Sequence, residues 1–288
     1  MRPQANGVNA HAFHFAQSAT SRGNCAWLAP PGAAHVATES SLAMMPWPYP
    51  RWIAHRGGGK LAPENTLAAF RQGASHGYRM FECDVKLSAD NVPFLLHDAT
   101  LERTTNGHGV AGEHTWEALS RLDAGSWHSP DYAGEALPRL DSIAHYCLEQ
   151  GYFLNIEIKP TPRLESHTGS VVAHEAARLW SDTTVPPLLT SFEPPSLEAA
   201  RIAQPRLPRG LLLDHLAEGW LETARQLDCV AIVCNHTLWN ANTVSQAKKA
   251  GFRLLSYTVN DETSVRRLMA LNTDGFITDR IDTFSPRP

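Results

Sequence analysis

The sequence predicts a (β/α)8 TIM barrel with a small inserted subdomain after the second barrel strand. Short apolar segments alternate along the chain with stretches of helical period, the pattern of a parallel sheet with crossover helices. The second and third of nine such segments are joined only by KLSADNVP, Lys86 to Pro93, which is too short for a helical crossover. Asp90-Asn91 inside it is turn chemistry, so these two segments form an antiparallel hairpin. Setting the return strand aside leaves eight βα units, the number that closes a barrel. The competing open, doubly wound sheet is disfavoured because no GxGxxG follows the first strand.

In chain order the expected strands are Trp52–His55, Arg79–Val85, Phe94–His97, Phe153–Ile158, Leu188–Ser191, Gly210–Leu213, Val230–Val233, Leu254–Thr258 and Gly275–Ile277. Helix-period stretches such as NTLAAFRQGASHG, TGSVVAHEAARLW and NTVSQAKKAG lie between most of them. PENT precedes the first helix, with Asn65 or Thr66 placed as N-cap, Pro63 stiffening the approach and Glu64 in an orienting role. The polar stretch from Ala99 to about Pro138 belongs to an insertion above the barrel, about 86–140 overall.

Residues 1–44 are rich in Ala, Ser, Asn, Gly and Pro and have no sustained period. They read as a flexible leader or as the product of an upstream start codon, with initiation near Met45, since Met44 and Met45 sit just before the ordered pattern begins. The barrel then occupies 45–288. No apolar run approaches the ~18 residues of a membrane span, and the N-terminus lacks the apolar centre of a signal peptide. Five scattered cysteines without a CxxC read as unpaired thiols of a reducing compartment. A net charge of −4 without a long basic block excludes the nucleic-acid backbone as a partner. The expectation is a soluble, cytoplasmic protein.

Catalytic groups of such barrels come from the C-terminal ends of the strands. Here those ends carry His55-Arg56, Glu82-Cys83-Asp84, His97-Asp98 and Glu157-Ile158-Lys159. Residues i and i+2 share a face, so Glu82 and Asp84 point together, as do Glu157 and Lys159, while Cys83 and Ile158 face the helices. Three carboxylates converging at one mouth require neutralisation, and a hard divalent cation, Mg2+ or Ca2+, supplies it. The alternative is an ion-pair network joining Glu157 to Lys159 and Glu82 to Arg56. A hairpin centred on Asp90-Asn91 pairs residues whose numbers sum to about 181, which sets His97 opposite Asp84. Two histidines flanking a carboxylate cluster then form an acid–base pair for near-neutral pH.

The stretch IAHRGGGKLAPENTLAAF invites a nucleotide-loop reading, which the spacing rejects. GxxxxGK[ST] would need a glycine at Ala54 and a Ser or Thr at Leu61. The glycines are instead expected to let backbone amides approach an anion held by Arg56.

These elements together resemble the glycerophosphodiester phosphodiesterase family, most closely its cytosolic bacterial members. The matching motifs are AHRGGGKLAPENTLAAF, ECDVKLSADNVPFLLHDATLERTTNGHGVAGE, LDAGSW, NIEIKP, LPRGLLLD, YTVN and DGFITD, in order from about Pro46 to Asp282. The resemblance implies a (β/α)8 barrel, a divalent metal and hydrolysis of glycerophosphodiesters to glycerol 3-phosphate and an alcohol. It places the metal carboxylates on Glu82, Asp84 and Glu157, the acid–base histidines on His55 and His97, and phosphate contacts on Arg56 and Lys159. Tyr257 departs from the Trp of many members, and Cys83 stands where an aromatic or aliphatic residue is common. Phe192 and Tyr257 end later strands and read either as a wall for the glycerol carbons or as barrel-top core. The expected partner is a small glycerophosphodiester, with no stable membrane insertion.

Overall fold

A computed structural model gives the fold and describes residues 47–284 and 286. The expected leader over 1–44, Met44, Met45 and Cys25 lie outside the described residues.

The barrel strands are β1 (Trp52–Ala54), β2 (Met80–Leu87), β4 (Phe153–Ile158), β5 (Leu188–Ser191), β6 (Arg209–Leu213), β7 (Ala231–Asn235), β8 (Arg253–Tyr257) and β9 (Gly275–Thr278), while β3 (Pro93–Leu95) pairs antiparallel with β2. All pairings within the barrel are parallel, and β1 bonds both β2 and β9, which closes the ring. The connecting helices are α1 (Leu67–Ser75), α3 (Leu140–Gln150), α4 (Glu165–Leu179), α5 (Pro194–Ala203), α6 (Trp220–Gln226), α7 (Ala241–Lys249) and α8 (Glu262–Ala270). The short helix α2 (Trp116–Leu119) belongs to the insertion between β3 and α3.

Strand alternation sorts the side chains. Ile53, Met80, Leu188, Val233, Leu255 and Ile277 pack into the barrel interior around Tyr49. Cys83 and Ile158 face outward with Ile143, Ala173 and Ala176 of the helix layer, as the period of two requires. Tyr49 closes the N-terminal end, its hydroxyl donating to the Pro186 carbonyl at 2.9 Å and its ring edge-on to Trp47. That end of the interior is therefore apolar and filled, and the polar inward positions of β2 and β4 lie towards the opposite, C-terminal mouth.

The inserted segment has a small core of its own, built from Phe94, Leu96, Leu101, Ala111, Leu119, Ala124 and Leu137. It therefore folds as a packed cap instead of a loose loop.

The hairpin register differs by one residue from expectation. Val85 faces Leu95 and Lys86 faces Phe94, so the Asp84 carbonyl accepts from the Leu96 amide at 3.0 Å, and His97 is not its partner. The turn is one residue longer than assumed: Ser88 donates its amide to the Val92 carbonyl at 3.1 Å across the loop, the Asn91 amide donates to the Ser88 carbonyl at 3.0 Å, and Asn91 adopts φ 63°.

Candidate active site

A cavity of about 180 Å³ opens at the C-terminal mouth. His55, Arg56, Glu82 and His97 line one part of it, and Glu157, Lys159, Phe192 and Tyr257 another. Asp84, the ninth residue singled out from sequence, sits beneath them and is 1% exposed.

The carboxylates converge as strand parity demands. One oxygen each of Glu82, Asp84 and Glu157 lies within 4.8 Å of the others, with Asp84 and Glu157 at the same level of paired strands. Burial and the neighbouring Asp84 push Glu82 well above the ordinary carboxylate range, and burial also raises Glu157. Asp84 moves the other way: burial opposes its charge, but Arg56 and Lys159 outweigh it.

The ion-pair alternative is half realised. Lys159 Nζ lies 2.7 Å from Glu157 and 3.7 Å from Asp84. The Arg56 guanidinium goes to Glu64 at 2.7 Å and Asp84 at 3.4 Å, not to Glu82. Only the Arg56 backbone amide donates to Glu82, to Oε2 at 2.9 Å. Glu82 Oε1 stays buried with no hydrogen-bond partner. A buried carboxylate oxygen with an unused lone pair, beside two more carboxylates, is a donor set suited to a hard cation. The residues present fit such a group.

Each histidine is held at Nδ1 by a carboxylate, which leaves Nε2 for the cavity. His55 Nδ1 pairs with Asp279 Oδ1 at 2.6 Å, and Asp279 is braced in turn by the Asn260 amide at 2.8 Å. Burial works against a charged His55, but Asp279 and Glu82, the latter 3.8 Å from Nε2, carry its pKa above the usual value. His97 Nδ1 pairs with Asp98 Oδ1 at 2.7 Å. Its pKa is lowered, first by burial, with Arg56 and Lys159 adding to that and Asp84 opposing it.

The turn after β1 explains how the His-Arg pair reaches the mouth. Arg56 and Gly57 have left-handed φ of 50° and 89°, and a Cβ at Gly57 would collide with Phe70 of α1. The glycines do not wall the cavity. Gly59 donates its amide to the His55 carbonyl at 2.8 Å and packs on the Asp279 backbone. The run seats the loop between α1 and Asp279, and the Gly59 amide is used inside that loop and not on an anion.

Thr66 caps α1 by accepting from the Ala69 amide. Asn65, at φ 59°, instead clamps Asp84: its amide donates to Oδ2 at 2.8 Å and its oxygen accepts from the Asp84 backbone at 3.1 Å. Phe192 and Tyr257 meet edge-on at 5.7 Å, Lys159 Nζ lies 5.5 Å from the Phe192 ring centre, and the Tyr257 hydroxyl donates to the Leu213 carbonyl. They form the less polar wall.

Sequence reasoning missed Asp279, Asn260, Arg103 and Lys86 and assigned Asp98 no role. Asp279 follows β9 directly, so the strand-end rule extended to the last strand would have found it. Lys86 is the third inward position of β2 after Glu82 and Asp84; it is buried, and burial pushes its pKa down to about 8.

Fold and site together define a barrel enzyme built around an oxygen-donor cluster, two histidines and two cations. The family model described as glycerophosphoryl diester phosphodiesterase matches residues 55–283. A glycerophosphodiester phosphodiesterase of Caldanaerobacter subterraneus subsp. tengcongensis is 32% identical over 80% of this chain and 94% of its own. An Oleispira antarctica phosphodiesterase, solved in complex with the product sn-glycerol-3-phosphate, superposes with a TM-score of 0.76 at 32% identity, covering 82% of this chain and 95% of that one. A glycerophosphodiester phosphodiesterase from Agrobacterium tumefaciens matches at 27% identity and a TM-score of 0.69, over 82% of this chain and 99% of its own. The chain belongs to the glycerophosphodiester phosphodiesterase family, and with it to the phosphoric diester hydrolases. Among the described residues, no helix is long and apolar enough to cross a membrane.

Proposed function

We propose that the protein hydrolyses glycerophosphodiesters, the deacylated forms of phospholipids, to sn-glycerol 3-phosphate and an alcohol, using a divalent cation and two histidines. The observation that carries this reading is the pair of His–carboxylate dyads, His55–Asp279 and His97–Asp98, opening on one cavity that also holds the carboxylate cluster. The product-bound Oleispira relative supports the glycerophosphate part.

Glu82, Asp84 and Glu157 are the residues that would hold the cation, Mg2+ or Ca2+. When bound, such an ion supplies Lewis-acid polarisation of a phosphoryl oxygen. Arg56 and Lys159 neutralise charge developing on the phosphoryl group. One histidine takes a proton at Nε2 from the attacking oxygen, and the other donates one to the departing alcohol as the phosphorus–oxygen bond breaks. The attacking oxygen belongs either to water or to the glycerol 2-hydroxyl, in which case water opens the cyclic phosphate in a second step. Phe192 and Tyr257 pack the glycerol carbons. A reducing, cytoplasmic setting is part of this reading, supported by four described cysteines that are all buried and free.

Glycerol 3-phosphate release from glycerophosphocholine and glycerophosphoethanolamine, across a metal series and with EDTA, tests the proposal. Metal-restored release supports it. No turnover with any metal, or full turnover after exhaustive EDTA treatment, overturns it. Phosphorus NMR that shows a cyclic phosphate as the final product would replace the hydrolase by a lyase.

A further inference from the structure

We propose that Arg103, in the inserted segment, is a positioning residue that locks the phosphate-facing Arg56 and the histidine His97 into one frame. The inference rests on the functional reading above and adds a role for the insertion.

The Arg103 guanidinium bonds two carboxylates at once. Nη1 and Nη2 donate to Glu64 Oε2 and Oε1 at 2.8 and 2.7 Å. Nε and Nη2 donate to Asp98 Oδ2 and Oδ1 at 2.6 and 2.9 Å. Each carboxylate then reaches into the site: Glu64 Oε1 accepts from Arg56 Nη1 at 2.7 Å, and Asp98 Oδ1 pairs with His97 Nδ1 at 2.7 Å. The chain Arg56–Glu64–Arg103–Asp98–His97 thus contains no link longer than 2.9 Å.

Two features make Arg103 the keystone of that chain. Among the described residues, the Glu64 carboxylate accepts only from Arg56 and Arg103, and the Asp98 carboxylate only from His97 and Arg103. Removing Arg103 leaves each acid with a single partner, free to turn. The planar fork also holds two carboxylates in a fixed mutual geometry, which the point charge of lysine does not. Arg103 itself is 44% exposed and does not line the cavity, so it acts through the residues it holds.

The need for a brace follows from the fold. His55 and Asp279 end two hydrogen-bonded barrel strands, β1 and β9, and their geometry comes with the barrel. His97 lies past the end of β3, where the chain has already left the barrel. Its orientation depends on the cap.

The test measures kcat and KM for glycerol 3-phosphate release from glycerophosphoethanolamine at saturating metal. The variants are Arg103→Ala, Arg103→Lys and, as an exposed arginine of the same insertion, Arg121→Ala. Arg103→Ala is expected to lower kcat about 10- to 100-fold, the scale of a roughly 1 Å misplacement, with unchanged circular dichroism, and Arg121→Ala to match the wild type. Millimolar guanidinium should restore part of the Arg103→Ala rate and none of that of His97→Ala. In an Asp98→Ala background, Arg103→Ala should cost several-fold less than in the wild type, because one link is already broken. If Arg103→Ala does not fold, Arg103→Lys carries the test through a lowered kcat on a folded protein. Wild-type kcat in Arg103→Ala, or equal losses in both backgrounds, overturns the inference. Parallel assays of Arg56→Ala and His97→Ala keep the two readings apart: if they are inactive while Arg103→Ala is normal, only the inference falls, whereas an active His97→Ala removes the functional reading itself.

Discussion

His55 Nδ1 lies 2.6 Å from Asp279 Oδ1 although 224 positions separate the two residues. The first and last strands of the barrel meet in one hydrogen-bonded ladder, with Ala54 opposite Thr278. The residue after each strand is therefore delivered to the same point, and barrel closure itself assembles the dyad.

Asp279→Asn should keep the side-chain shape and the bond to His55, lose the charge, and set an amide group against the Asn260 amide, a cost that does not vary with pH. Although burial opposes it, the bond from His55 helps to hold Asp279 down to about 2, while His55 is raised. A depressed acid stabilises the fold above its unfolded pKa and loses that contribution as pH falls through the folded one. A raised histidine stabilises below its unfolded pKa and loses its contribution as pH rises through the folded one. In metal-free protein, the stability gap between wild type and Asp279→Asn should therefore be widest between about pH 4 and about pH 6.5 and narrow on both sides. Thermal unfolding across pH tests this, and NMR of the His55 ring should show its titration moving down in the variant. A gap that does not vary with pH would remove the ionic pairing.

His55→Ala and His97→Ala should each leave a folded protein whose turnover is lower by about 10²-fold or more. Far-ultraviolet circular dichroism and glycerol 3-phosphate release check the two halves of that statement. Near-normal turnover in either variant would exclude that histidine from proton transfer.

Glu82→Gln separates the cation's role from the fold's. Burial and Asp84 hold Glu82 up at about 8, so in metal-free protein it opposes folding increasingly as pH rises from the unfolded carboxylate pKa of about 4.3 towards about 8, and in full above that. The variant should match or exceed wild type in EDTA, by about 2–4 °C if ~1 kcal/mol is relieved, and should gain little stability from added metal. Differential scanning calorimetry with and without Mg2+ or Ca2+ measures both. A wild-type melting shift with metal in Glu82→Gln would remove Glu82 from the ligand set.

Phe192→Ala removes one ring of the edge-on pair with Tyr257 and the face beneath Lys159. Its effect should fall on KM more than on kcat, at about 10-fold, the scale of an aromatic contact of ~1 kcal/mol together with its lost area. Steady-state kinetics decides. A change confined to kcat would place the ring in the chemistry instead of the binding wall.

Much of the site was legible because strand periodicity is local. The inward pairing of Glu82 with Asp84 and of Glu157 with Lys159 needs only the period of two and the end of a strand, both written in a few consecutive residues. The same holds for the hairpin, whose eight-residue link excluded a crossover. It did not fix the register, which depends on the backbone bonds of the turn, and so His97 came out one position away from the place assigned to it.

The sequence by itself determined the number of βα units, the outward and inward faces, and the chemical inventory at the mouth. Only the tertiary structure decided the partnerships. Arg56 turned to Glu64 and Asp84 and away from Glu82, Asn65 clamped Asp84 in preference to capping α1, and the glycine run packed between α1 and Asp279. Asp279 and Asn260 joined His55 from the far end of the chain. The physical reason is one of range. Alternation and turn chemistry act over a few residues, whereas the choice among several oppositely charged neighbours is made by closure of the ring and by how burial, charge and hydrogen bonds balance at one crowded point.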